Sequence, residues 1–424
     1  VAETAPSLSP GQRWLVLAAG FLAWACAGQA IALYILLHRQ LVLGLAGDVD
    51  EAVVTRWFAW FQAAFLFGAA TGGWFFGWLG DRFGRVRALA GSVFCYSLFT
   101  LAAYPATSLE QHLVLRFLAC MGIGGAWPGA VALVSEAWPD SSKPLLAGLL
   151  GAAANFGFVW LAAFAYFALP VTADSWRLYL LIASAPAVFG ALVALVVPES
   201  LRWRAARQEA PPTTGPLQEL FRPPLLGVTL LGIGLGAIPV VGTAANANWV
   251  VPWTDQVAQE RARLTGESRP KDDKALTMMT RNGGAIVGSF CGGLLASWVG
   301  RRLSYFLISL GAFALSGVVF GLLDPADPWF QPAVFLFGLV GVTYFGWLPL
   351  FLPELFPTRV RATGSGVSFN TGRVVAGVVV LSTAALVGLF GGDYARIGVW
   401  SGLIYAVGMA LIWLAPSRPA TGRA

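Results

Sequence analysis

Long apolar runs alternate with short polar breaks along the whole chain, and the runs are too long for strands and too uniformly apolar for the helices of a soluble protein. A helix that crosses a bilayer needs about 20 mainly apolar residues, because backbone groups inside hydrocarbon must bond within their own segment. Twelve runs meet that length: 14–37, 55–78, 88–105, 110–135, 144–169, 176–198, 224–246, 277–299, 303–323, 329–352, 363–390 and 394–415. An even number of passes returns both termini to one side. Two longer polar segments, Glu199 to Arg222 and Asn248 to Lys274, flank the seventh run. The pattern predicts an all-α integral membrane fold in two halves: a six-helix bundle over residues 1–198, a linker over 199–222 and a second six-helix bundle over 223–424.

Composition agrees with that reading. Hydrophobic residues make up 57% of the chain and charged residues 11%, with 18 Trp and 29 Phe, and the mean hydropathy is +0.70. These values lie far outside soluble usage. Loop Lys and Arg set orientation. Fifteen lie on the side of the termini and nine on the other, five of these (Arg261, Arg263, Arg269, Lys271 and Lys274) within the acid-containing 248–274 segment. The termini and the linker are therefore expected in the cytoplasm. The sequence pI near 9.3 then reports topology, and no nucleic-acid partner is expected. The four cysteines fall in predicted helices, as free thiols. Residues 1–10 lack a basic n-region and an apolar core, so no signal peptide is expected there. No N-x-S/T acceptor occurs, consistent with a bacterial inner membrane.

The chain repeats itself. GWLGDRFGRVR (Gly77 to Arg87) returns as GLLASWVGRR (Gly293 to Arg302), with Gly84 matching Gly300 at an offset of 300 − 84 = 216. EAWPDSSKPLLAG (Glu136 to Gly148) returns as ELFPTRVRATGSG (Glu354 to Gly366), at 354 − 136 = 218. Two motifs at nearly one offset predict parallel repeats. In the first motif Gly77 and Gly84 permit a tight loop, Asp81 is placed to accept hydrogen bonds at a facing helix N-terminus, and Arg82, Arg85 and Arg87 can reach acids such as Glu136. Gly300, Arg301, Glu354 and Arg361 are the second copy's counterparts. Ser297 replaces the acid there, which predicts a looser latch. The charges read as a latch between bundles, or as a topology anchor.

On these residues the chain resembles the major facilitator superfamily, over essentially its whole length. GWLGDRFGRVRAL (Gly77 to Leu89) is similar to its signature loop between helices 2 and 3. RFLACMGIGGAWPGAVALVSEAWP (Arg116 to Pro139), PES (Pro198 to Ser200) and PELFPTRVRATGSGVSFNTGRV (Pro353 to Val374) resemble the branch of sugar porters, aromatic-acid:proton symporters and organic-ion transporters. The resemblance implies a secondary transporter working by alternating access between two bundles.

Substrate chemistry is sought in charges inside the membrane, where ionisable residues mark a pathway or site. All 21 acids fall in loops or at helix ends, whereas Arg116, Arg281 and Arg373 lie within or beside apolar runs. Arg373 is about ten residues into helix 11, about 15 Å deep at 1.5 Å per residue. Gly366, Asn370, Arg373 and Gly377 share one helix face. Asn155 is the equivalent of Arg373 in the first half at the 218 offset. Arg373 is read as gripping an anionic group with Asn155 facing it, or else as tied to backbone carbonyls. Arg281 is a second anion contact or an interfacial anchor. Arg116, at the place of the superfamily's helix-4 arginine, is read as structural or conformational-coupling. Gln29, Tyr34, Trp127, Asn282, Tyr344 and Trp347 are candidate cavity residues, with Trp24, Gln62 and Trp160 as weaker ones. Pro128 and Pro349 mark possible kinks.

Missing from the interior is the carboxylate that proton symport usually uses; the aromatic-acid symporters carry one on helix 1, where this chain has LAWACAGQAIAL (Leu22 to Leu33). The expectation is a transporter of a small organic anion, a small or aromatic carboxylate, by exchange or by a route not coupled through a carboxylate. Alternatives are a carrier of a neutral sugar-like solute and a non-transporting sensor on a transporter fold. An enzyme is not expected: no metal-spaced His/Cys set, nucleophile with a base, or phosphate loop appears. The expected partners are the anion and the surrounding lipid, with no cofactor, no metal and no second copy of the chain.

Overall fold

The computed structural model describes residues 8–138, 143–206, 216–266, 273–357, 360–389 and 393–416. Twelve helical passes follow the twelve apolar runs: α1 (Pro10–Ala46), α2 (Glu51–Phe83), α3 (Arg85–Ala102), α4 (Leu109–Ala137), α5 (Lys143–Phe167), α6 (Trp176–Val196), α7 (Leu225–Thr265), α8 (Asp273–Val299), α9 (Arg301–Gly321), α10 (Phe330–Phe351), α11 (Arg361–Leu389) and α12 (Tyr394–Leu414). Among the described residues, nine passes are long and apolar enough to cross a membrane by length and composition alone. The other three, α2, α3 and α8, are rich in Gly, Ser and Trp or begin with arginines, which lowers their hydropathy while leaving their length.

The halves pair alike. In the first, α2 packs on α4, α3 on α4 and α1 on α5; in the second, α8 packs on α10, α9 on α10 and α7 on α11. Contacts between halves run from α5 to α8 and from α2 to α11. The sequence offset reappears as contact geometry. A Cβ on Gly72 would run into the carbonyl of Met121, and one on Gly288, 216 residues on, into that of Leu339, 218 residues on from Met121. Small residues at these points let the helices meet backbone to backbone, a packing that apolar lipid does not otherwise drive.

Helix α7 departs from the sequence pattern. The run was expected to end at 246, yet the chain passes through a π turn (Gly242–Asn246) and a 3₁₀ turn (Ala247–Trp249) and continues as helix to Thr265. The cause is local. Pro239 lacks an N–H, so the carbonyl of Leu235 has no helical donor and takes the Tyr305 hydroxyl instead, at 2.9 Å. Asn246 then ties the widened turn down, donating to Ser316, Gly398 and Ser401.

This extension carries Asp255 into the protein, where it is buried with Arg39 and Lys274; the sequence pattern had left all three outside the helices' interior. Arg39 of α1 donates through Nε to Asp255 at 2.6 Å and through Nη1 to Glu51 at 2.8 Å. Lys274 of α8 lies 3.8 Å from Asp255, which also accepts from Gln259 at 3.0 Å. Nearby, Thr55 donates to the Tyr394 hydroxyl at 2.9 Å and Phe58 packs edge-on to Trp249 at 5.2 Å. First-half and second-half residues thus close the molecule on the face opposite the termini.

Replacing Asp255 with Asn leaves Lys274 buried without a carboxylate partner among the described residues, and breaking a buried pair costs about 3–5 kcal/mol. In a background lacking the four native cysteines, Thr55→Cys is expected to react with a maleimide at least tenfold faster once Asp255→Asn is added. An unchanged rate would assign the closure to ring packing alone.

Candidate functional site

Between the halves lies a cavity of about 170 Å³ whose wall is mostly aromatic and aliphatic. The first half contributes Trp24, Phe65, Trp127, Asn155 and Phe158; the second contributes Thr243, Asn248, Arg281, Asn282, Phe345, Arg373 and Tyr405. No Asp or Glu lines it among the described residues.

Arg373 reaches the cavity from α11 and is 6% exposed. Its Nη1 donates to the Ala69 carbonyl of α2 at 3.3 Å and to Asn370 Oδ1 at 3.2 Å, and its guanidinium lies 4.7 Å from the Phe369 ring centroid. Arg281, 5% exposed, enters from α8 and donates through Nη1 to Asn248 Oδ1 at 2.8 Å. It packs close to α10 because Gly338 has no side chain there. The acceptors of both arginines are neutral among the described residues, so the guanidinium charges are oriented without being cancelled.

Of the other expected cavity residues, Asn155, Asn282 and Trp127 line the wall, as does Trp24. Asn370 does not; with Gly377 it packs on α2, against Gly73 and Phe67 respectively. The small-residue stripe of α11 therefore serves mainly to bring the halves together, and only Arg373 on it opens to the cavity. Gln29 donates to the Ile182 carbonyl, Tyr34 bonds to His112, Tyr344 donates to Ser309, and Trp347 donates to Ser304. These four are absent from the lining because each polar atom finds a partner inside its own half. Gln62 is buried away from the wall and Trp160 is half exposed on the outside. Arg116 also stays off the cavity: it donates to the carbonyls of Ala30 at 2.7 Å and Ile31 at 3.3 Å and lies over the Tyr34 ring. It thereby holds α1 behind the cavity residue Ile31.

Asn248, Thr243 and Tyr405 were not anticipated. A proline and an asparagine inside the seventh apolar run, Pro239 and Asn246, with Asn248 just past its end, were the available sign of a broken helix, a feature that gathers at functional sites. Pro128 and Pro349 sit within α4 and α10, which run on through them.

The repeated loops form a second constellation. Arg85 Nη1 meets Asp81 at 2.6 Å and its Nε lies 3.4 Å from Glu136. In the second half Arg301 grips Glu354 with both arms, at 2.7 and 3.0 Å. The second latch is not the looser one: with Ser297 in place of an acid, Arg301 gives both Nε and Nη2 to Glu354, while Arg85 is shared between two acids. Both pairs tie helices of their own half, so among the described residues these loops do not latch bundle to bundle. Nor does Asp81 cap a helix. Glu199 does, accepting from the backbone N–H groups of Arg85 at 2.9 Å and Val86 at 3.2 Å, where the helix dipole favours an anion. Arg82 lies over the rings of Trp78 and Phe83. Gly84 and Gly300 both have positive φ, 119° and 85°. The side chain of Arg361 lies outside the described residues.

A central polar-and-aromatic cavity between two repeated six-helix bundles is the architecture of a membrane transporter. The family model of the Major Facilitator Superfamily matches residues 14–381, and the chain belongs to that family; it is a multi-pass membrane transporter and not an enzyme. It is 28% identical over 326 residues to a probable 4-methylmuconolactone transporter of Cupriavidus pinatubonensis, covering 74% of this chain and 72% of that one. It is 26% identical over 320 residues to a cis,cis-muconate transport protein of Acinetobacter baylyi, covering 74% of each. The solved structure of a D-xylose-proton symporter shares the fold at a TM-score of 0.67 and 16% identity, covering 96% of this chain and 98% of that one.

The first-half loop separates two glycines of one motif. A Cβ at Gly84 would strike the Glu199 carboxylate from a backbone conformation unsuited to side chains, whereas one at Gly77 would meet nothing within 4 Å. Gly84→Ala is expected to cost about 1–3 kcal/mol and to lower the thermal midpoint in detergent by several degrees, with Gly77→Ala within about 0.5 kcal/mol of wild type.

Proposed function

We propose that this transporter carries a small organic anion, a carboxylate with an aromatic or conjugated body, by alternating access around the cavity. The observation that carries this reading is the pair of buried guanidiniums on a wall without any Asp or Glu among the described residues. A charge in such surroundings is costly without a partner, and a carboxylate matches the guanidinium fork in shape and charge. The aromatic wall suits a flat, apolar body. Relatives named for the transport of 4-methylmuconolactone and cis,cis-muconate support the same class.

In this reading Arg373 and Arg281 bind the anionic group, Asn155 and Asn282 orient it, and Trp127 covers its body. The repeated ion pairs, Asp81, Arg85 and Glu136 in one half and Arg301 and Glu354 in the other, keep each bundle rigid as it moves. The moving bodies are residues 1–198 and 223–424, joined by a linker over 199–222. The membrane is the bacterial inner membrane, with both termini cytoplasmic, and the carrier acts as a monomer.

Exchange is the favoured mode. A membrane potential of 100 mV opposes entry of each negative charge by about 2.3 kcal/mol, and a cavity bearing two uncancelled cations changes sides more readily when an anion fills it in both directions. Counterflow in proteoliposomes, with carboxylates, sugars and organic cations loaded in turn, tests this. Labelled carboxylate entry is expected to rise with an internal carboxylate and to fall at least tenfold in Arg373→Gln. Sugar entry that survives the substitution would overturn the anion reading and move recognition to Asn155, Asn282 and the tryptophans.

A further inference from the structure

We propose that the anion is a dianion held at two points, a rigid conjugated or aromatic dicarboxylate with one carboxylate on Arg281 and the other on Arg373. This rests on the anion reading above and narrows it. The two guanidiniums come from different helices, α8 and α11, to the wall of one cavity. Among the described residues each donates to protein through Nη1 alone, although a guanidinium carries five N–H donors in a fork fitted to a carboxylate. Both forks therefore retain donors for a ligand.

Charge balance separates one carboxylate from two. A monoanion would neutralise one guanidinium and leave the other buried without a counter-charge, which is unfavourable in a low-dielectric interior. A dianion cancels both, so that two positive and two negative charges leave the loaded cavity neutral; the loaded cavity then changes sides without carrying net charge through the membrane potential, and exchange of one dianion for another moves none. The neutral acceptors fit this division of labour. Asn248 and Asn370 aim the forks, and a carboxylate in either place would have taken up the charge intended for the ligand. Most of the remaining wall is rings and apolar side chains, among them Trp24, Phe65, Trp127 and Phe345, with a few amide and hydroxyl groups such as Asn155, Asn282 and Thr243, and that balance suits a flat, mainly apolar spacer.

The test compares scaffolds that differ in one carboxylate, at pH 7 where both groups are ionised: benzoate against benzene-1,3- and 1,4-dicarboxylate, and 2,4-hexadienoate against 2,4-hexadienedioate. In counterflow the wild type is expected to favour at least one dicarboxylate over its monocarboxylate by tenfold or more in half-saturating concentration. Arg281→Gln is expected to lose that preference while still moving the monocarboxylate, and Arg281→Lys, which keeps the charge, to retain part of it. Ligand-induced thermal stabilisation in detergent gives the same ranking without transport and reveals a variant that has failed to fold. If the wild type takes monocarboxylates as well as every dicarboxylate, or if folded Arg281→Gln keeps the preference, the two-point grip is overturned and the anion reading stands. If no carboxylate of either kind drives counterflow, the anion reading falls and the dianion with it.

Discussion

A guanidinium in a low-dielectric interior either finds a counter-charge or remains costly, and two of them share this cavity with no carboxylate on its wall among the described residues. Much of the surrounding structure follows from that constraint. Asn248, Asn370 and the Ala69 carbonyl satisfy part of each fork with neutral oxygens. Gly338 and Gly73 clear the space in which Arg281 and Asn370 sit. On the proposed reading the missing negative charge belongs to the substrate, so the protein is most comfortable when loaded.

The closure on the face opposite the termini solves the converse problem, because there the charges must survive separation. Arg39 bridges the halves to Asp255, yet each keeps a second partner on its own side: Arg39 holds Glu51 within the first half, and Asp255 holds Lys274 and Gln259 within the second. Parting the halves breaks one ion pair and leaves each side paired. A single Arg–Asp bridge would instead strand two charges, with a penalty large enough to hold the molecule shut.

The sequence made the helices legible because apolar length is a strong signal, and it made the loops legible because two motifs recur at nearly one offset. Gly84 and Gly300, with Arg85–Glu136 and Arg301–Glu354, show that the recurrence marks the same contact in each half. Arg373, Arg281 and Asn155 stood out because charged and amide groups are rare inside a membrane. Gln29, Tyr34, Tyr344 and Trp347 did not separate from them on paper, since a polar atom on a buried helix can equally face a polar partner within its own half, and here each does. Asp255 was hidden for two reasons. The polar stretch around Asn248 looks like the end of a helix until Asn246 and Tyr305 supply the missing hydrogen bonds, and the partner Arg39 lies 216 residues away.

Helices α7 and α8 connect these two charge problems. They run antiparallel, and two polar rungs join them: Asn248 to Arg281 at the cavity, and Asp255 to Lys274 at the closure. Seven residues separate the rungs on each helix, close to two helical turns, so both lie on the face that the helices turn to each other. The π turn just before Asn248 places a soft point at the cavity end of the ladder, while the regular helix beyond it carries Asp255 rigidly. On the proposed reading a ligand that pulls on Arg281 acts on Asn248, and through one stiff segment on the residue that closes the opposite face. Occupancy of the site and strength of the closure are thus tied through a single helix pair, which is the mechanical link that an alternating-access carrier needs.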